Sequence, residues 1–237
     1  MTLDARTAGN RIIAALPQED YQRISPYLEV IPLFQRQILY HPKDTIDYAY
    51  FPNRSMASLV SILEDGATVE IGLVGNEGMV GLPIVLGERI ATCQYIVQIP
   101  DSATRIRQDH LLTEFERGGV LQKLLLRYTQ ARLAQVSQWA ICNRFHMIEE
   151  RFALWMSTVR DCVGTDKLSL TQEFIAEMLG CRRAGVTVVA STFQRAGIIR
   201  YRRGTVAILD REALEASACE CYQVIKKEFS SWLTTKL

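Results

Sequence analysis

Residues 168–199 read LSLTQEFIAEMLGCRRAGVTVVASTFQRAGII, and this stretch decides the fold. Ser169 or Thr171 is positioned to cap a helix whose inner face is Ile175, Met178 and Leu179, at the i, i+3, i+4 spacing, and Gly180 ends it. A second helix is predicted over residues 182–196, with Val186, Val189 and Phe193 inward and Ala196-Gly197 as its stop. Its opposite face carries Arg183, Thr187 and Ser191, and Arg182 stands at its entry. Short helices joined by a glycine-containing turn, the second presenting arginine and hydroxyls near its N-terminal end, have the geometry that enters a DNA major groove.

The residues that follow extend this reading. Ile198 to Arg202, the turn Arg203-Gly204-Thr205, and Val206 to Leu209 form a β-hairpin pattern, a wing whose tip presents Arg202 and Arg203 to phosphates beside the groove. Between residues 180 and 204 stand Arg182, Arg183, Arg195, Arg200, Arg202 and Arg203, with no acidic residue among them. Such a cluster suits a polyanion, because each neutralised phosphate releases condensed counterions. Arg183 is placed either for bidentate bonding to guanine O6 and N7 or for a phosphate, and the sequence does not choose. Thr187 has the same two options, a thymine methyl or a phosphate, while Arg182 reads as a phosphate contact.

Working toward the N-terminus, residues 120 to about 156 hold neither Pro nor Gly, which predicts one long helix or a pair nearly in line. Leu126, Leu133 and Ala140 recur every seven residues with Val136 between them, and Leu124, Tyr128 and Ala131 lie on a neighbouring stripe. One stripe is expected to face the preceding domain and the other a second copy of the chain, since a helix with two apolar stripes has more surface than one small domain covers. From residue 29 to about 107 the runs at 38–40, 48–51, 56–63, 68–74 and 93–99 are short, β-branched or aromatic, and divided by turn signals. Glu64-Asp65-Gly66 marks a hairpin. The fold class is therefore α+β: an N-terminal antiparallel β-roll, a long dimerisation helix and a C-terminal winged helix-turn-helix. Residues 3–28, broken by Pro17 and Pro26, predict short helical pieces.

Composition excludes other classes. The chain has 237 residues, 27 Lys+Arg and 26 Asp+Glu, so neither disorder nor a strongly charged tail is indicated. The longest nearly uninterrupted apolar stretch, Gly78 to Gly87, is about half of what a membrane span needs. The N-terminus (Met1, Asp4, Arg6, Asn10, Arg11) leads only into Ile12 to Leu16 before Pro17, too short for a signal-peptide core, so a cytoplasmic location is expected. Six cysteines, Cys93, Cys142, Cys162, Cys181, Cys219 and Cys221, contain no Cys-x2-Cys pair. Cys219-Glu220-Cys221 is their one close pair, and it reads as buried thiol near a helical C-terminus rather than as a redox or metal site. No HExxH, GxSxG or Walker loop is present, so no catalytic residue and no metal ligand is expected, and an enzyme is disfavoured.

On LTQEFIAEMLGC, the Arg-rich helix after it, RAGIIRYRRG and VAILDREAL, together with the order β-roll, long helix and winged domain, the chain resembles the Crp/Fnr family of bacterial transcription regulators over nearly its whole length. The resemblance implies a cyclic-nucleotide-binding-like sensor domain at residues 1–118, a dimerisation helix at 119–145 and a DNA-binding domain at 146–237. It further implies a homodimer on a palindromic double-stranded operator, with RNA polymerase admitted as a further partner. Family members often carry Arg-Glu near the start of the recognition helix and another Arg one turn later. Here Arg183 matches the first, but Ala184 and Val188 occupy the other places, so a different operator is expected.

In nucleotide-binding relatives a Gly-Glu segment holds the ribose and an Arg followed by Ser or Thr holds the cyclic phosphate. The matching residues here are Glu77 and Arg89, the candidate effector contacts, but Glu77 is shifted by one and Ile90 follows Arg89. The anion site thus lacks a donor, cyclic AMP is disfavoured and no cofactor is expected. Relatives with an iron–sulfur cluster place cysteines near the N-terminus, whereas the first here is Cys93. His41, His110 and His146, the candidate axial ligands for haem, read as surface or packing residues. The competing class is a ligand-binding interaction module that does not bind DNA.

Overall fold

The computed structural model describes residues 9–66 and 68–234; Met1, Asp4 and Arg6 lie outside them. Short helices α1 (Arg11–Ala14) and α2 (Gln18–Ile24) precede seven strands: β1 (Glu29–Leu33), β2 (Ile38–Tyr40), β3 (Tyr48–Pro52), β4 (Met56–Ile62), β5 (Thr68–Val74), β6 (Gln94–Ile99) and β7 (Asp101–Arg107). They form antiparallel sheets ordered β1-β7-β3 and β2-β6-β4-β5. Alternation turns Tyr40, Phe51, Met56, Leu73, Val97 and Ile106 into a shared core. The predicted hairpin is present: Ile62 pairs with Thr68, and Gly66 takes a φ of 83°.

Helix α3 (Gln108–Glu116) leads into α4 (Val120–Phe145), and α5 (Ile148–Val163) follows a break at His146 and Met147. The long helical span is thus two helices. Three-residue β8 (Lys167–Ser169), then α6 (Gln172–Leu179), α7 (Arg183–Arg195), β9 (Ile199–Arg202), β10 (Thr205–Ile208), α8 (Arg211–Ala216) and α9 (Glu220–Thr234) complete the chain. Among the described residues no helix is long and apolar enough to cross a membrane.

The C-terminal part is not tethered by the long helix alone. Trp155 on α5 donates to Glu70 on β5 at 2.7 Å, Thr68 donates to Glu177 on α6 at 3.1 Å, and α9 packs along α4 with Tyr128 and Phe229 in edge contact. Close approach requires glycine at two points. A Cβ on Gly75 would collide with Cys162, and one on Gly72 with the guanidinium of Arg132. One continuous hydrophobic core therefore runs from α1 to α9.

Candidate nucleic-acid interface and sensor region

Thr171 caps α6 by accepting from the Phe174 amide at 3.1 Å, and Ile175, Ala176, Met178 and Leu179 are buried. Gly180 reverses the chain with a φ of 60°, which an L side chain rarely adopts. The recognition helix predicted over 182–196 spans Arg183–Arg195, with Arg182 and Ala196 as its caps. Val186, Val189, Ala190 and Phe193 face inward, and Phe193 packs on Phe152 of α5 at 5.4 Å between ring centroids. Arg182, Arg183, Thr187 and Ser191 are all exposed.

Polar residues of α6 reach this face. The Thr187 hydroxyl donates to Gln172 Oε1 at 2.8 Å, and Arg183 lies 3.6 Å from Glu173 in an exposed ion pair. Gln172 is thus a neighbour of the outward face that the sequence reading missed. So is Val188, 63% exposed and one residue after Thr187, with the apolar chemistry that suits a thymine methyl. No periodicity marks either residue, because both face away from the core.

The wing is a three-stranded sheet, β8-β10-β9. Arg203 and Gly204 form its two-residue turn with φ of 49° and 76°, the positive pair that a type I′ hairpin turn requires. An arginine in this region is unusual, and it stands at the tip with both Arg202 and Arg203 exposed. Tyr201 anchors the wing to the helices: its hydroxyl donates to Leu170 O at 2.9 Å, and its amide donates to Gln194 Oε1 at 2.7 Å.

On α4 the two apolar stripes separate as predicted. Leu124, Tyr128 and Ala131 are buried against the β-roll and α9, while Leu126 at 49%, Leu133 at 60% and Val136 at 45% remain exposed on the other side.

The sensor residues Glu77 and Arg89 are not brought together. Glu77 is buried, accepts from the Gly75 amide at 3.0 Å and lines a cavity of about 240 Å³ with Arg11, Asp161, Cys162, Tyr222 and Lys226. Arg89 is exposed and does not line that cavity; its carbonyl accepts from the Ile46 amide at 2.7 Å. Arg132 of α4, only 7% exposed, enters the roll instead. Its guanidinium bonds the Leu73 carbonyl at 2.7 Å and also Gln135. Burial pushes the neighbouring Glu70 carboxyl up to about 8, against hydrogen bonds from Ser58 and Trp155 that favour its charge. Burial likewise raises Glu77. His41 is exposed, and His110 stacks on Tyr27 at 3.8 Å.

Residues 150–217 match the family described as the Crp-like helix-turn-helix domain. FixK2 from Bradyrhizobium japonicum shares the architecture with a TM-score of 0.69 at 14% identity, over 81% of this chain and 98% of that one. A transcriptional regulator of the CRP family from Thermus thermophilus gives 0.63 at 15% identity, over 81% and 99%. The c-di-GMP responsive global regulator CLP of Xanthomonas campestris gives 0.58 at 16%, over 81% and 99%. No curated protein matches the chain by sequence.

Proposed function

The chain has the Crp/Fnr regulator fold and carries a Crp-like helix-turn-helix, and we propose that it is a sequence-specific regulator of transcription that binds a palindromic DNA operator as a homodimer. The observation that carries this reading is the outward face of α7, where Arg182, Arg183, Thr187 and Ser191 stand exposed beside the wing arginines Arg202 and Arg203. In this reading Arg183 and Thr187 meet base edges or phosphates, and Arg182, Arg202 and Arg203 hold the backbone. Ser191, one turn further along the same face, is a hydroxyl contact.

Residues 1–118 form the sensor, 119–145 the dimerisation helix and 146–237 the DNA-binding unit. The exposed stripe Leu126, Leu133, Val136 and Ala140 pairs with its copy, setting two α7 helices one helical turn of DNA apart. RNA polymerase is the downstream partner where the regulator activates, and its DNA partner puts its working place in the cytoplasm. The effector is not cyclic AMP: Arg89 is exposed and followed by Ile90, and Arg132 fills space inside the roll. Any effector must bind the two dimer conformations with unequal affinity.

Selection of bound sequences from random double-stranded DNA, with and without cyclic AMP at one salt concentration, tests this. A palindrome enriched without nucleotide is the expected result. Enrichment only with cyclic AMP would overturn the reading of Arg89 and Ile90, and no enrichment in either condition would count against DNA binding.

A further inference from the structure

Four potential metal ligands that are scattered in the sequence meet where α4 ends and α9 begins. Cys142 lies in the last turn of α4, His146 follows that helix directly, and Cys219 and Cys221 flank the first residue of α9. Cys142 Sγ is 3.5 Å from Cys219 Sγ across 77 residues of chain, and Cys221 Sγ is 3.7 Å from His146 Nδ1. All four ligand atoms lie within 4.8 Å of one another. The three cysteines are buried and His146 is partly so.

We propose that Cys142, His146, Cys219 and Cys221 form a tetrahedral site for a single divalent cation, with zinc the best match. Zinc–sulfur bonds of about 2.3 Å and zinc–nitrogen bonds of about 2.0–2.1 Å put the ligands at the corners of a tetrahedron with edges of about 3.6–3.8 Å. The two contacts above sit at that spacing, and the farthest pair must close by no more than about 1 Å. Three sulfurs and one imidazole nitrogen are a donor set that zinc prefers over magnesium or calcium.

The surroundings fit as well. His146 Nε2 is 3.3 Å from a carboxylate oxygen of Glu220, which holds the ring with its Nε2–H outward and leaves Nδ1 free to ligate. Three thiolates and a divalent ion carry a net charge of −1, and Arg151 lines the same cleft as Cys142. Loading releases three thiol protons to solvent and needs no oxidant. An ion here would tie the end of α4 to the start of α9 beside the break at residues 146–147, so its presence fixes how the C-terminal unit sits on the long helix.

The test uses the full chain, purified reduced and without chelator, with metal content measured by mass spectrometry. One zinc per chain is expected, lost in Cys142→Ser and Cys219→Ser and kept in Cys181→Ser, whose thiol lies outside the cluster. Because the serine variants can fail to fold, wild-type protein stripped of metal is also titrated with cobalt(II). Thiolate-to-cobalt charge transfer and intense tetrahedral d–d bands, saturating at one equivalent, support the site. Substoichiometric zinc in the wild type together with only weak octahedral cobalt absorption would overturn it. So would zinc retained in both folded serine variants, or peptide mapping that finds Cys142 and Cys219 as a disulfide in metal-free reduced-purified protein.

Discussion

Arginine serves opposite purposes at the two ends of this molecule. Around α7 and the wing, Arg182, Arg183, Arg202 and Arg203 remain in solvent, where a charge costs little to hold and is available to a partner. Inside the β-roll Arg132 is buried near the Glu70 and Glu77 carboxyls, where each charge loses its hydration and is tolerated only because the others are there. The contrast separates residues that recognise from residues that hold the domains together. It implies that substitution in the first group changes affinity with little effect on stability, and substitution in the second does the reverse.

The largest effect is expected from Arg132→Met. It leaves two buried carboxyls without their cation, and urea unfolding should show a loss of about 3–5 kcal/mol. A loss below about 1 kcal/mol would erase the contrast. Next, Arg183→Ala should weaken operator binding by roughly 1–3 kcal/mol if it reads guanine, relaxing selectivity at one base pair, while stability stays within about 0.5 kcal/mol. Competition binding with operators altered one position at a time measures both.

Glu70 sharpens the comparison through pH. Its folded-state pKa of about 8 lies above its ordinary value of 4.5, so the folded chain holds a proton that the unfolded chain gives up. Its contribution is fully present below pH 4.5 and is lost as pH rises through 8, with a slope of at most about 1.4 kcal/mol per pH unit. Glu70→Gln should flatten the fall in stability between about pH 5 and 8; an unchanged slope would remove Glu70 from the account. The smallest effect is expected from Arg203→Asn. Asparagine accepts the positive φ of the turn, so the wing persists, and the slope of log affinity against log salt should fall by about one.

The same division explains what the sequence discloses. The helix-turn-helix was legible nearly to the residue, because caps, the turn glycine and the 3.6-residue period all act within a few positions of one another. The runs at 38–40 and 68–74 were equally plain. Strand β1 was not, since Pro32 interrupts it and much of it is exposed, and β7 was missed because Asp101, Ser102, Thr104 and Arg105 dilute its alternation. Three-residue β8 is too short to register. Within the sensor, Arg132 reads as an ordinary helix charge until Gly72, 60 residues earlier, is seen to make room for it. The cysteine cluster is still less legible: nothing near Cys142 announces Cys219.

The central claim is that the exposed arginines of the C-terminal unit face DNA in a symmetric dimer. Its most direct test is titration of the selected palindrome, at several salt concentrations, with wild-type protein and the Arg183→Ala and Arg203→Asn variants, reading both stoichiometry and affinity. The account predicts two chains per palindrome, a loss of affinity in Arg183→Ala and a shallower salt dependence in Arg203→Asn, with all three proteins equally stable. Unchanged affinity and unchanged salt slope in both variants would contradict it.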